Sequence, residues 1–258
     1  MQENKIKITW YGTASVRIST KNSQFLIDPF FPLSGSSVSV EKGSFDNCGN
    51  ILITHGHYDH IGSISDIVRK DTTVYCTKAP YRSLCRKGVN SSNLRLIKTG
   101  SVIKIGDFRI TAYKGRHIRG GLLWIMGIVF GRCLRANRRI LADMIKKFAS
   151  CREKGETLCY LAEACGKRIL ILGSLSLAEG GSYPSEVDLA VFPYQGSPKL
   201  EETARNIYRK LRPKAVMLTH FDNTFPPFST DIDTSEIESF LKKHTKVYKL
   251  EHGESFYL

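Results

Sequence analysis

The sequence has no apolar segment long enough to cross a membrane. Its longest apolar-rich run, LLWIMGIVF at residues 122–130, has 9 residues, whereas a membrane-spanning helix needs about 20. The first ten residues, MQENKIKITW, also lack the apolar core of a signal peptide. These two absences argue against an integral membrane protein and predict a cytoplasmic one.

The cysteines show no CxxC spacing. There are seven of them, an odd number, so complete pairing into disulfides within one chain is excluded. Free thiols in a reducing compartment are the expected state.

Acidic residues are scarce relative to basic ones, with 24 Asp and Glu against 38 Lys and Arg and a net charge of +14. The excess is uneven. Residues 116–154 contain ten Lys or Arg but only Asp143 and Glu153 as acids, so ten minus two gives +8 of the +14. This concentration predicts that one segment, rather than the whole surface, meets an anionic partner.

The same segment has no Gly or Pro from residue 132 to 154, between Gly131 and Gly155. Its apolar residues recur on one helical face and its basic residues take the other, which predicts an amphipathic helix. The apolar face comprises Leu134, Ile140, Leu141, Met144, Ile145 and Phe148. Such a helix either packs on the core as an ordinary surface helix or forms a lid, a membrane contact or a dimer contact.

Outside this segment, short β-rich stretches bounded by turn residues dominate both halves. Strands are predicted at residues 6–10, 15–19, 24–27, 51–54, 74–76, 102–105, 108–112, 158–163, 168–172, 187–192, 215–219, 246–250 and 255–258. Helices are predicted at residues 61–70, 200–211 and 234–243. Two strand-rich halves with intervening helices predict two sheets packed together and covered by helices.

Three histidines and an aspartate fall within six positions of ILITHGHYDHIG, residues 51–62. His55 and His57 are two apart in an extended loop, where alternate side chains point the same way, so both imidazoles can reach one ion. Asp59 and His60 follow where a helix begins, offset from the first pair. This offset suits a second ion beside the first.

Distant residues must complete these sites. His117, in KGRHIRG, and His220, in VMLTHFDN, both follow predicted strands. Imidazole and carboxylate ligands suit zinc, manganese or iron better than calcium or magnesium, and zinc is the preferred assignment.

With these residues, the chain resembles the metallo-β-lactamase superfamily. THGHYDHIG matches the signature loop of that superfamily, and ITWYGTASVRI and FLIDPF resemble the branch that contains ascorbate-phosphate lactonase. The resemblance implies an α+β fold, a four-layer αββα sandwich, as a single domain over residues 1–258. The basic helical segment at about 119–155 would be an insertion within it.

The resemblance also implies a ligand set: His55, His57 and His117 for a first metal, and Asp59, His60 and His220 for a second. Asp28 is retained as a carboxylate that orients the ligand loop. Two positions depart from the family pattern. Ser174, in ILILGSLSL, replaces the aspartate that bridges the metals, and Thr13, in YGTAS, stands where that branch commonly has histidine. The second site therefore holds its ion weakly or not at all, or both sites fill with three residues each.

Three ligands per ion leave an open position, which is typical of catalytic sites. A metal-bound hydroxide oriented by Asp59 would attack the substrate. The charge of the site, with Arg116, Arg138 and Arg139, favours an anionic small molecule. The leading hypothesis is therefore hydrolysis of an ester-type bond, in a lactone or a phosphodiester.

Three alternatives remain. A nuclease fits the basic charge, but the 45 residues between Ser174 and His220 leave no room for a large inserted domain, and no stacking platform is visible. A phospholipid hydrolase would use residues 122–130 and the basic face for peripheral membrane contact. The third alternative is a metal-binding protein without catalysis. The helical insertion could also mediate homo-oligomer formation.

Overall fold

The structure, a computed structural model, describes residues 5–118, 138–197, 199–227 and 229–258. Its strands are β1 Lys7–Trp10, β2 Val16–Ser19, β3 Gln24–Ile27, β4 Asn50–Leu52, β5 Thr73–Cys76, β6 Leu94–Leu96, β7 Val102–Ile105, β8 Phe108–Lys114, β9 Leu158–Ala164, β10 Lys167–Ile171, β11 Leu189–Pro193, β12 Ala215–Thr219, β13 Lys246–Lys249 and β14 Ser255–Tyr257. Its α-helices are α1 Tyr58–Ile61, α2 Ile64–Ile67, α3 Lys78–Arg86, α4 Arg138–Ala149, α5 Leu200–Leu211 and α6 Ser235–Lys242. Two 3₁₀ turns, Lys42–Phe45 and Ser91–Asn93, complete the elements.

The strands form two mixed sheets of seven strands each. The first has the order β14-β1-β2-β3-β4-β5-β6 and the second β13-β12-β11-β10-β9-β8-β7. In the first sheet, β14 to β3 pair antiparallel and β3 to β6 pair parallel. The second sheet repeats this division, with β13 to β10 parallel and β10 to β7 antiparallel.

Three apolar clusters show how the layers stack. The largest joins the inner faces of both sheets, with Ile8 and Ile18 from one sheet against Ile110 and Ile169 from the other. A second cluster lies under α5 and α6 on the outer face of the second sheet. The third lies under α1, α2 and α3 on the outer face of the first sheet. Helices therefore cover both sheets, and the predicted αββα sandwich is confirmed.

Two hairpins, β7–β8 and β9–β10, join neighbouring antiparallel strands of the second sheet through two-residue turns. Gly106 joins β7 to β8 with a φ of 51°, and Cys165 and Gly166 join β9 to β10 with φ values of 52° and 70°. Positive φ at both Cys165 and Gly166 matches the strand twist of a two-residue hairpin, and in the other turn Gly106 supplies positive φ at the first central residue.

The single helix predicted at residues 61–70 is instead two short helices, α1 and α2. Around Gly62 the chain is tight, because a Cβ there would lie 2.5 Å from the carbonyl oxygen of Tyr58. The spacing of Ile61, Ile64 and Ile67 reflects burial on one face rather than a continuous helix. The sequence also did not predict α3, whose apolar stripe is short and interrupted by Lys and Arg.

Helix α4 and the turn that follows it belong to the basic segment and are described by the structure. Residues 119–137 lie outside the described residues, so the extent of the insertion at 119–155 and the single-domain organisation stay predictions. Met144 is buried, and Phe148 packs its ring 5.8 Å from that of Tyr58 and 5.0 Å from that of Phe225. The end of α4 thus contacts the first residue of α1 and the loop after β12. Among the helices in the described ranges, none has the length and apolar character needed to span a bilayer.

Candidate metal centre

Three strand ends bring the histidines together. His55 and His57 follow β4, His117 follows β8, and His220 follows β12 directly. Backbone hydrogen bonds anchor two of these loops to neighbouring elements. Leu158 N, at the start of β9, donates to Thr54 O at 2.8 Å, and His220 N donates to Thr13 O, between β1 and β2, at 2.9 Å. The site therefore lies at the edge where the two sheets meet.

The structure groups the six predicted ligands into two clusters of three. In each cluster the ligand atoms lie within 4.8 Å of one another. The first cluster is His55, His57 and His117, and the second is Asp59, His60 and His220. The His55 and His60 rings are 3.9 Å apart between centroids, so the clusters are adjacent.

The hydrogen bonds of the first cluster set the tautomer of His55. Thr54 Oγ1 donates to Asp28 Oδ2 at 2.5 Å, so it accepts from His55 Nδ1, 3.0 Å away. The Nε2 of His55 is then left with a lone pair. That atom faces His57 Nδ1 at 3.3 Å, and the His57 and His117 rings are 4.2 Å apart. Three imidazoles grouped in this way, with a lone pair on His55 Nε2, fit a cation.

In the second cluster a carboxylate lies between two imidazoles. Asp59 Oδ2 is 2.9 Å from His220 Nε2 and 3.6 Å from His60 Nε2. The Nδ1 of His220 is buried without a hydrogen-bond partner among the described residues, and such unsatisfied buried atoms are rare. This donor set of two imidazoles and one carboxylate fits zinc, manganese or iron.

Asp28 forms hydrogen bonds that support ligands of both clusters. It is fully buried and adopts a φ of 43°. Its Oδ1 accepts from Thr54 N at 2.8 Å, and its Oδ2 lies 2.7 Å from His60 Nδ1. Because Nδ1–H of His60 points at this carboxylate, His60 presents Nε2 to the second cluster. Asp28 thus orients one ligand of each cluster, through Thr54 and directly.

Burial and neighbouring charges shift the pKa values of these groups. Burial lowers the pKa of His55 and His57, and burial with the nearby His57 lowers that of His117 to about 4. For His60 burial acts in the same direction, but the carboxylates of Asp28 and Asp59 outweigh it and raise its pKa. Burial would raise the pKa of Asp59, yet His60 and His220 hold it well below its usual range. The neutral imidazoles of the first cluster and the ionised carboxylate of Asp59 are the protonation states that bind metals.

These shifts predict a pH dependence for the metal-free chain. His55, His57 and His117 have folded pKa values below the unfolded value of about 6.5. Their contribution to stability is complete above pH 6.5 and is lost as the pH falls toward about 4, the folded value for His117. The pKa of His60 is raised instead, so its protonation stabilises the folded state on acidification. We expect the three histidines with lowered pKa values to outweigh this one. The urea midpoint in excess chelator is therefore expected to fall between pH 7 and pH 5.

A His117→Gln variant is the control for this prediction, because it removes one of the three depressed groups. Its urea midpoint should depend less steeply on pH over the same interval. A midpoint that rises on acidification from pH 7 to pH 5 would contradict the assignment.

Thr13 reaches the second cluster through its backbone. It is fully buried with a φ of 49°, and its carbonyl accepts from His220 N and from Trp10 Nε1 at 3.0 Å. Its own N–H lies 2.9 Å from both carboxylate oxygens of Asp222. Asp222 thereby fixes the loop that holds His220. Sequence reasoning missed this residue, although its place two residues after His220 was a usable sign.

The remaining predicted site residues lie as follows. Ser174 is buried, and its Oγ accepts from Ile118 N at 3.2 Å, next to His117. Arg116 is about half exposed and forms an ion pair with Glu179. Arg138 and Arg139 begin α4, but their side chains lie outside the described part of the chain.

Three groups of known proteins resemble this chain. The family described as Beta-lactamase superfamily domain matches residues 23–141. A UPF0173 metal-dependent hydrolase of Koribacter versatilis is 26% identical over 97% of both chains. A UPF0173 protein of Pyrococcus abyssi is 33% identical, but the match covers 43% of this chain and 50% of that protein. Several such relatives are matched over only about half of their length.

Solved structures agree on the fold. Igni18, a metallo hydrolase from Ignicoccus hospitalis, superposes with a TM-score of 0.65 at 20% identity and covers 98% of both chains. An isothiocyanate hydrolase from Delia radicum gut bacteria gives 0.60 at 17% identity, with 98% of this chain and 100% of that one covered. The sandwich and its two ligand clusters define a metal-dependent hydrolase. In its fold, and in the sequence of residues 23–141, the chain is similar to the metallo-β-lactamase superfamily.

Proposed function

We propose that this hydrolase uses two divalent ions, zinc first among them, to cleave an ester-type bond in an anionic small molecule. The observation that carries the proposal is the presence of two adjacent three-residue clusters. Three ligands to each ion would leave a coordination position open for water or substrate. The first ion would be held by three imidazoles, and the second by two imidazoles and Asp59. When bound, the ions would acidify a water to a pKa of about 7 and polarise the scissile bond.

The charge of the site supports an anionic substrate. Two divalent ions against the one carboxylate among the six ligands leave an excess of positive charge. Tyr58, between His57 and Asp59, adds a second feature. The ammonium groups of Lys87 and Lys147 lie 5.7 and 5.9 Å from its ring centroid. Lys147 also pairs with Asp143 at 2.8 Å, so Lys87 is the better candidate for a substrate anion.

Asp59 is the residue proposed to act on the reacting groups. It is buried, and nearby imidazoles keep its pKa low, so it is a carboxylate throughout the physiological range. As a hydrogen-bond acceptor it would orient the attacking nucleophile while it serves as a ligand. A lactone and a phosphodiester both place a polarised, oxygen-rich centre beside such a pair of ions. The side chains that line the substrate pocket determine which of the two classes binds.

The test is an activity screen of the chain loaded separately with zinc, manganese and iron. Lactones, phosphodiesters, phosphonates and thioesters are the substrates, with His57→Ala as the inactive control. Turnover of an anionic lactone or phosphodiester that the variant lacks would support the proposal. A chain that takes up no metal when supplied with zinc or manganese would contradict it.

A phospholipid hydrolase is the second candidate, because α4 exposes apolar side chains beside the site. Ile145 is 59% and Phe148 36% exposed, and both lie on a helix rich in Lys and Arg. Such a face suits anionic lipid surfaces. Binding to vesicles containing phosphatidylserine should weaken at least about tenfold in Ile145→Asp. Leu96→Asp, which alters a similarly exposed residue on edge strand β6, should bind normally; equal binding by all three proteins would exclude this candidate.

A further inference from the structure

The turn after α4 packs against both loops that carry the three-histidine cluster. On one side, Gly56 separates His55 from His57, and a Cβ there would lie 2.0 Å from Arg152 O and 3.4 Å from Glu153 N. On the other side, Gly115 lies two residues before His117, and a Cβ there would lie 2.8 Å from Thr157 Cγ2. Residues 152–157 therefore contact both the loop that carries His55 and His57 and the loop that carries His117.

Glu153 is the acidic side chain that this turn brings to the cluster. Its Oε2 accepts from Gly155 N at 2.6 Å, and its Oε1 accepts from Thr157 Oγ1 at 2.7 Å. The carboxylate is therefore held in place, within a segment that is otherwise basic. The backbone nitrogen of Glu153 would lie 3.4 Å from a Cβ at Gly56, and Thr157, which its side chain contacts, packs on Gly115. The negative charge of Glu153 is therefore held between the two loops that carry the cluster.

The first cluster needs negative charge from outside its own ligands. Its three ligands are neutral imidazoles, and Ser174 offers a neutral hydroxyl that already accepts from Ile118 N. Asp59, the carboxylate among the six ligands, belongs to the second cluster. A divalent ion bound only by neutral groups would be under-compensated in a partly buried site.

We propose that Glu153 is a positioning residue that strengthens cation binding at the first cluster, supplying from the turn after α4 the negative charge that Ser174 does not. The inference rests on the two-metal arrangement of the proposed function. Glu153 is not a ligand, because both of its oxygens are engaged by the turn. It acts through its field, and groups just outside the ligand set commonly change metal affinity by about 10- to 100-fold.

The experiment measures Zn²⁺ affinity by competition with a chromophoric chelator. It uses the full chain in a His220→Ala background, so that the first cluster is measured alone. Glu153→Gln, which keeps the size and one acceptor oxygen but removes the charge, is expected to raise the dissociation constant about tenfold. Glu156→Gln is the matched control: it removes the same charge three residues away, where the carboxylate accepts from Ala79 N at 2.7 Å, and should change affinity less than twofold.

A second measurement separates an electrostatic role from a structural one. Adding Ser174→Asp to the Glu153→Gln variant places a carboxylate on the other side of the cluster. Recovery of affinity in that double variant supports the proposal, since repair of a disrupted turn could not come from residue 174. Unchanged affinity in Glu153→Gln, or an equal loss in Glu156→Gln, overturns it. The proposed function fails separately if the unmodified chain binds fewer than two ions.

Discussion

Replacing His57 with alanine is expected to abolish the ion of the first cluster and to lower kcat/KM by at least about a thousandfold. Metal polarisation contributes several kcal/mol to such reactions, and about 4 kcal/mol corresponds to that factor. His57 faces His55 Nε2 at 3.3 Å and His117 across 4.2 Å between rings. With the middle imidazole gone, two ligands cannot retain an ion against dilution. Elemental analysis of the purified variant should find at most one ion per chain.

The two clusters make this prediction specific. His220→Ala should remove the other ion, since His220 contacts Asp59 in the second cluster, and should leave the first cluster occupied. His244→Ala is the control, because this histidine is exposed and bonds Phe240 O far from the site. Loss of both ions from His57→Ala alone would show that the clusters bind cooperatively. Two retained ions with full activity would contradict the ligand assignment.

Replacing Asp28 with alanine is expected to lower the free energy of unfolding by about 3–5 kcal/mol, the usual cost of breaking a buried ionic pair. The carboxylate binds Thr54 N, Thr54 Oγ1 and His60 Nδ1 within 2.8 Å. All three groups are buried and would lose their partner at once. The positive φ of Asp28 adds strain that these hydrogen bonds offset. Urea unfolding in the presence of chelator measures this loss.

A second readout distinguishes local from global damage. Asp28→Asn keeps the side-chain shape and one acceptor oxygen, so it should be less destabilised than Asp28→Ala. It should still bind metal less tightly, because an amide cannot both accept from Thr54 and favour the His60 tautomer. Asp107→Ala is the matched control, since that exposed carboxylate bonds Thr20 Oγ1 at 2.8 Å on the surface. Similar stabilities for Asp28→Ala and Asp107→Ala would contradict the role assigned to Asp28.

The sandwich was predictable because its strands show simple apolar patterns in the sequence. β12 is apolar at Ala215–Leu218 and lies in the centre of a parallel region, where both faces are covered. The helix at residues 200–211 has a clean apolar stripe and matches α5 residue for residue. By contrast, α1 and α2 were merged into one helix, because periodic burial of isoleucines does not reveal a tight approach at Gly62.

The sequence by itself determined the ligand chemistry: a dense HxHxDH motif and two strand-end histidines can be recognised from residue types and spacing alone. Only the tertiary structure decided which groups support those ligands. Thr54 bonds Asp28 across 26 residues of sequence, and Asp222 bonds Thr13 across 209. Glu153 meets the ligand loop through a backbone contact at Gly56. No local sequence pattern encodes these contacts. The sequence gives the identity of each side chain. The interaction of a carboxylate with an imidazole depends on the distance between them in the folded protein. That distance exists only once the two sheets have packed and their loops meet at one edge.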